Sequence, residues 1–118
     1  MSYDISFKVK VDGIDRYVEA CECDANITWN ARKIIELSTG LPWLNEKNNG
    51  YCKDVIPHIE KGLSELMNHP EKYRPYEAEN GWGTVRGTIC FYERILDAWH
   101  NLLRVQEELA DVATFWIE

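Results

Sequence analysis

The alternation of apolar and polar residues near the N-terminus constrains the fold more than any other feature. Four apolar residues occupy every second position from 5 to 11, a period typical of a strand with one buried face. Asp12-Gly13 follows, and such a pair strongly favours a two-residue hairpin turn. A turn there places Phe7 opposite Val18, with the apolar side chains of both strands on one face. The sequence therefore predicts a β-hairpin over residues 3–21.

The first helix is predicted to open within segment 26–30 and to stop at Gly40. The candidates for its N-cap are Asp24, Asn26 and Thr28. Its core-facing stripe consists of Ile27, Ala31, Ile34 and Ile35.

Two further helices and a strand follow. After a predicted loop over residues 41–53, the second helix covers residues 54–68, with Asp54 as a candidate cap and Pro57 tolerable only in the first turn. The segment 70–83 reads as another loop. The third helix covers residues 84–106, and residues 112–117 form a closing strand beside the hairpin. These elements predict a single α+β domain over residues 1–118, with a small antiparallel sheet of three strands and three helices.

The third helix carries two adjacent apolar stripes that together cover more than half of its circumference. The stripes consist of Val85, Ile89, Tyr92, Leu96, Trp99 and Leu103, and of Phe91, Ile95, Ala98 and Leu102. A small sheet and two short helices do not need so wide a face. We therefore expect burial against another subunit, in an obligate homo-oligomer.

Charge and composition exclude several classes of function. The formal net charge is −7, which argues against binding to DNA or RNA polymers. Neither a signal peptide nor a membrane-length apolar run stands in the sequence, so we expect a cytosolic protein with no membrane partner. The chain has four cysteines, which in the cytosol are expected to be reduced thiols. Cys21 and Cys23 share one face of a strand, but no further ligand stands at a spacing typical of zinc sites.

The most distinctive segment is Asn80-Gly81-Trp82-Gly83-Thr84. Glycines on both sides leave the Trp82 ring unshielded and its backbone free to adopt positive φ. The third helix starts just after, so its first-turn N–H groups and Arg86 are candidates for binding an anion. The alternative is a tight loop whose tryptophan fills its own core.

A second exposed tryptophan is expected on the first helix. Trp29 lies opposite the apolar stripe, on the same side as Arg32. Such a residue either meets a neighbouring subunit or lines a ligand site. Asn30, at the edge of the stripe, either binds a ligand or ties down the backbone. Neither a nucleophile elbow, a P-loop nor an acidic metal cluster stands in the sequence, so we expect a binding protein without a catalytic residue, metal or cofactor.

Four motifs together resemble a known family of phage proteins. They are Asn-Ile-Thr-x-Asn at 26–30, the Pro57…Gly62-Leu63 helix, Pro70-Glu71-x-Tyr73 and Glu79-Asn80-Gly81-Trp82-Gly83. Over residues 20–118 the chain is similar to phage anti-CBASS sponge proteins. The resemblance implies a tetramer in the host cytoplasm. It also implies sequestration, without cleavage, of cyclic dinucleotide immune signals such as 3′3′-cGAMP.

Such a ligand needs aromatic platforms for two bases and cations for two phosphates. The candidate platforms are Trp29, Tyr76 and Trp82, the candidate phosphate partners are Arg32, Arg74 and Arg86, and the candidate polar contacts are Asn30, Asn80 and Thr84. Two other classes stay open. One is an acidic protein that inhibits a host enzyme by binding to it, and the other is a small nucleotide-degrading enzyme.

Overall fold

The computed structural model describes residues 2–13, 16–42 and 47–118. Within these ranges, four strands form one antiparallel sheet with the spatial order β2-β1-β4-β3. The strands are β1 (Ser2–Lys10), β2 (Tyr17–Thr28), β3 (Asn48–Tyr51) and β4 (Thr114–Ile117). The helices are α1 (Arg32–Thr39), α2 (Cys52–Asn68), α3 (Pro70–Tyr73) and α4 (Val85–Val105). The predicted α+β fold is confirmed, with the hairpin and the closing strand adjacent in the sheet.

The register of the hairpin differs from the expected one. Phe7 lies opposite Cys21 and not opposite Val18, which pairs with Val9. The Val11 amide donates to the Arg16 carbonyl at 2.7 Å, so the predicted two-residue turn at Asp12-Gly13 does not close the hairpin; residues 14 and 15 lie outside the described ranges. Near the turn, β2 is displaced along β1 by two positions from the predicted register. Because side chains alternate with period two, the side chains there stay on their predicted faces. Irregularities in the pairing beyond it displace the register further.

Strand β2 continues through the segment that was expected to open the first helix. Cys23, Ala25 and Ile27 are buried on one face of β2, and the residues between them are exposed. This alternation is weak in the sequence because two of the three residues are small. Of the three cap candidates, Thr28 caps a 3₁₀-helix over Trp29–Ala31, where its Oγ1 accepts from the Asn30 amide at 3.4 Å. Helix α1 itself follows Ala31, which makes no side-chain capping hydrogen bond, so none of the candidates caps α1 directly. Helix α1 then ends at Gly40, as predicted.

Three expectations about the middle of the chain are wrong. The predicted loop 41–53 contains β3, and its residues 43–46 lie outside the described ranges. Helix α2 begins at Cys52, whose amide donates to the Ala113 carbonyl at 2.8 Å, so Asp54 is inside the helix and Pro57 is beyond its first turn. Helix α3 and a 3₁₀-helix over Arg74–Tyr76 occupy part of the predicted loop 70–83.

Helix α4 packs against β2 and α2, and the monomer itself uses its wide apolar face. Seven of the ten stripe residues are buried, and Ile89, Ala98 and Leu103 are partly buried against the same core. The width of the stripe therefore no longer argues for a second subunit. The additional surface that covers the apolar face of α4 belongs to β2, which is longer than the second strand of the predicted hairpin. Among the described residues, no helix has the length and apolar character needed to cross a membrane.

Candidate functional site

The two motif segments of the sequence meet at Gly83. This glycine has φ +78°, and a Cβ on it would lie 2.6 Å from the carbonyl carbon of Asn30 and 2.7 Å from the amide nitrogen of Ala31. No side chain can occupy that space, so the approach of the two backbones requires glycine at this position. The loop before α4 is thereby packed directly on the 3₁₀-helix that contains Trp29 and Asn30.

The loop around Trp82 is held by its own polar groups. The Gly81 amide donates to the Ala78 carbonyl at 3.1 Å, and the Trp82 amide donates to Asn80 Oδ1 at 3.0 Å. Gly81 has φ +80°. These constraints direct the Trp82 side chain outward, where 64% of its surface is exposed. The alternative in which Trp82 fills its own core is therefore wrong.

Trp29 is also accessible, although one face of its ring is covered. It is 36% exposed and stacks on Tyr3 of β1, with the ring centroids 5.9 Å apart and the planes at 27°. Asn30 beside it is exposed. We refer to Trp29, Asn30, Asn80 and Trp82 as the Trp–Asn surface. It offers aromatic faces and side-chain amides, which suit a flat ligand with polar edges.

The first turn of α4 is less available to an anion than the sequence suggested. Thr84 Oγ1 accepts from the Gly87 amide at 3.0 Å, and Glu77 Oε2 accepts from the Val85 amide at 2.7 Å. Two of the expected donors therefore already serve the protein's own oxygens. Glu77 could not be predicted from the sequence, since a carboxylate eight positions before its partner follows no local capping pattern.

A pocket of about 430 Å³ opens beside this turn, between α2, α3 and α4. We call it the arginine pocket; it is lined by Leu66, Met67, Pro70, Arg74, Glu77, Val85, Arg86 and Ile89. Arg74 and Arg86 are exposed at the surface. In the part of the chain that the structure describes, neither guanidinium forms an ion pair or a hydrogen bond. Two such cations over an apolar wall can bind an anionic or hydrogen-bond-accepting ligand.

The remaining predicted residues lie outside this pocket. Arg32 Nε donates to the Glu36 carboxylate at 2.7 Å, and this bond raises the pKa of the guanidinium. Its charge is thus already partnered within α1. Tyr76 is 44% exposed on the 3₁₀-helix that also carries Arg74, but it does not line the pocket. The structure therefore brings together Arg74 with Arg86, and Asn30 with the Trp82 loop.

Two of the four cysteines, Cys23 and Cys52, are small core residues, whereas Cys21 is partly buried and Cys90 is exposed. Cys21 and Cys23 lie on β2, and Cys52 is fully buried at the start of α2. Burial raises the pKa of the Cys23 thiol and raises that of Cys52 to about 12, so both are neutral at pH 7. Within the described ranges, no group of three or more His, Cys, Asp or Glu side chains is placed to hold a metal ion.

Comparison of the chain with protein-family models, with curated proteins and with solved structures finds no match.

Proposed function

We propose that this protein binds and sequesters a small anionic nucleotide of the cyclic dinucleotide class, such as 3′3′-cGAMP. The observation that carries the proposal is the contact of Gly83 with the Asn30–Ala31 peptide. That contact joins two segments, each bearing an exposed tryptophan and an exposed asparagine, into the Trp–Asn surface. An exposed pair of aromatic residues beside polar amides is suited to stacking and hydrogen bonding of bases.

Trp82 is the main platform in this proposal. With 64% of its surface exposed, it has room for a base on its ring, and base–aromatic stacking contributes about 1–3 kcal/mol per base. Trp29 is the second platform, because its inner face is already supported by Tyr3. A side chain held in this way loses little conformational freedom when a base stacks on it.

Arg86 is the first phosphate partner, with Arg74 beside it in the same pocket. Arg86 follows Trp82 by four positions, so their Cα atoms are at most about 14 Å apart. A ligand that carries both bases and phosphates can therefore contact the two residues together. A net charge of −7 opposes nucleic-acid polymers but not one small anion held by local arginines.

The proposal includes three further points that follow from the family resemblance. The ligand is held without cleavage, the protein acts in the host cytoplasm as a block to CBASS-type defence, and it assembles as a tetramer. Light scattering at micromolar concentration tests the assembly, and a monomer mass would contradict it. Mass spectrometry of the ligand after incubation and heat release tests sequestration, because linear or mononucleotide products would indicate an enzyme instead.

Calorimetric titration of cyclic dinucleotides tests the site. Arg86→Ala removes a charge-assisted contact of about 1.5–3 kcal/mol and should weaken binding by about ten- to a hundredfold. Trp82→Ala should weaken it by a similar factor through lost stacking. Arg104→Ala, at the exposed far end of the same helix, is the matched control and should bind like wild type.

Melting temperatures measured in parallel separate binding from folding. Both site residues are exposed, so their substitution should leave the melting temperature close to that of wild type. Equal affinity in the wild type and in the Arg86 variant would remove Arg86 from the site. No affinity for any cyclic dinucleotide, together with tight binding to a host protein, would favour the inhibitor alternative.

A further inference from the structure

The arginine pocket contains a carboxylate that its two arginines do not neutralise. Glu77 lines the pocket with Arg74 and Arg86. Its Oε2 accepts from the Val85 amide at 2.7 Å, which fixes the orientation of the carboxylate. Its Oε1 accepts no hydrogen bond from any residue that the structure describes. A pocket for a simple phosphate or carboxylate would not hold a fixed negative charge, because like charges repel at short range.

Arg74 and Glu77 are presented together by one short turn. The Glu77 amide donates to the Arg74 carbonyl at 3.0 Å, closing the 3₁₀-helix Arg74–Tyr76. Side chains at positions i and i+3 of such a turn lie on the same side. The pocket therefore offers a strong hydrogen-bond donor and a fixed acceptor side by side. Leu66, Met67 and Ile89 supply an apolar wall next to them.

We infer that the arginine pocket is a guanine-recognition site, with Glu77 and Arg74 as the residues that determine base specificity. The inference rests on the proposed function and names the base that the pocket accepts. The Watson–Crick edge of guanine carries N1–H and an exocyclic amino group, and both donate to a carboxylate. Guanine O6 and N7 accept from a guanidinium, the commonest specific contact of arginine with a base.

Adenine does not satisfy the same groups. Its N1 is an acceptor and would face the Glu77 carboxylate, and its N6 amino group is a donor and would face Arg74. Each mismatch leaves a polar group of the pocket without its partner, and the free-energy cost of that unpaired group strongly disfavours adenine relative to guanine. This assignment leaves Arg86 for a phosphate of the same nucleotide.

Glu77→Gln tests this with minimal structural change. The amide oxygen can still accept from the Val85 amide, but the group at Oε1 becomes an NH₂ donor. We expect the wild type to bind cyclic di-GMP at least about tenfold more tightly than cyclic di-AMP, and the variant to lose most of that preference. Glu79→Gln makes the same change on an exposed residue outside the pocket and should keep the wild-type ratio.

The ratio of the two affinities, measured by calorimetry, decides the inference. Equal binding of both dinucleotides by the wild type, or an unchanged ratio in Glu77→Gln, overturns guanine recognition and leaves the proposed function standing. If Glu77→Gln melts early, Arg74→Ala decides, because Arg74 makes no hydrogen bond that holds α4; an unchanged ratio there also overturns the inference. Absence of binding to these two dinucleotides overturns the inference, and absence of binding to 3′3′-cGAMP as well overturns the proposed function with it.

Discussion

Gly62 and Gly83 both mark places where the chain comes too close for a side chain, but they join different kinds of surface. A Cβ on Gly62 would lie 2.9 Å from Cε2 of the Tyr92 ring and 3.0 Å from Cγ2 of Thr39. Gly62 is buried inside α2 and brings three helices together. A Cβ on Gly83 would meet backbone atoms of Asn30 and Ala31 instead. One glycine closes the core, and the other closes the base of an exposed loop.

The surroundings of the two contacts differ in the same way. Next to Gly62, the Tyr92 hydroxyl and Ser38 Oγ are 2.7 Å apart and both residues are fully buried. Next to Gly83, Trp82 and Asn30 are exposed. A core contact stabilises by filling space with satisfied groups. A backbone contact under a loop can hold the loop in place while its side chains remain available to a ligand.

The largest effect is expected from Gly83→Ala. The added methyl group meets backbone atoms, which cannot move aside as side chains can, and alanine is strained at positive φ. We expect the free energy of unfolding, measured with urea, to fall by about 2–4 kcal/mol. Affinity for cyclic dinucleotides should fall as well, because the Trp82 loop leaves its position.

Gly81→Ala is the matched control for this change. Gly81 has φ +80°, nearly the same as Gly83, but no atom lies within 4 Å of its would-be Cβ. Its substitution therefore reports the backbone strain alone, about 1 kcal/mol. Equal losses in the two variants would show that the approach of Gly83 to Asn30 does not hold the loop.

Features that depend on residues close together in the sequence could be predicted, and features that depend on distant residues could not. The hairpin, the Gly40 stop and α4 follow from residues close to one another in the sequence. The register of the hairpin and the formation of β3 depend on how whole strands pair with one another. Strand propensity is sensitive to that context. A four-residue strand such as Asn48–Tyr51, which contains Gly50, carries almost no local signal.

The same distinction between neighbouring and distant residues applies to the candidate site. The prominence of Trp82 follows from its two flanking glycines, and its exposure matches that reasoning. Glu77 and the Gly83–Asn30 contact join residues that are 8 and about 50 positions apart, and no periodic pattern links them. The sequence therefore indicates the motifs that form the site, but only the folded chain shows that the helix start is already occupied by a carboxylate.

A smaller effect is expected from Gly62→Ala. The methyl group meets a tyrosine ring and a threonine methyl group, which can shift by a few tenths of an ångström. Overpacking costs about 1–3 kcal/mol, while alanine gains up to about 1 kcal/mol over glycine within a helix. The net loss of stability should be about 0.5–2 kcal/mol, with ligand affinity unchanged.

The double variant Gly62→Ala/Thr39→Ser sharpens this test. It removes the Thr39 Cγ2 methyl group and keeps the hydroxyl, which donates to the Ile35 carbonyl at 2.6 Å. In a protein that already carries Thr39→Ser, Gly62→Ala should lower the free energy of unfolding by less than it does in the wild type. An equal loss of stability in both backgrounds would show that the added methyl group clashes with the Tyr92 ring alone.

The last effect is a dependence of stability on alkaline pH that belongs to the core. Burial raises the pKa of Cys52 from 9.0 to about 12, so the folded state keeps the thiol protonated where the unfolded state does not. The stabilisation is complete below pH 9 and is lost as the pH rises from 9 towards 12. The slope for one thiol is at most about 1.4 kcal/mol per pH unit. Urea unfolding between pH 7 and 10.5 should show this loss.

In Cys52→Ala the loss should be shallower but not absent, because burial also raises the pKa of Cys23 and Tyr92. The comparison uses slopes, because the cavity left by alanine lowers stability equally at every pH. An identical slope in both proteins would show that the Cys52 thiol is not the group that titrates.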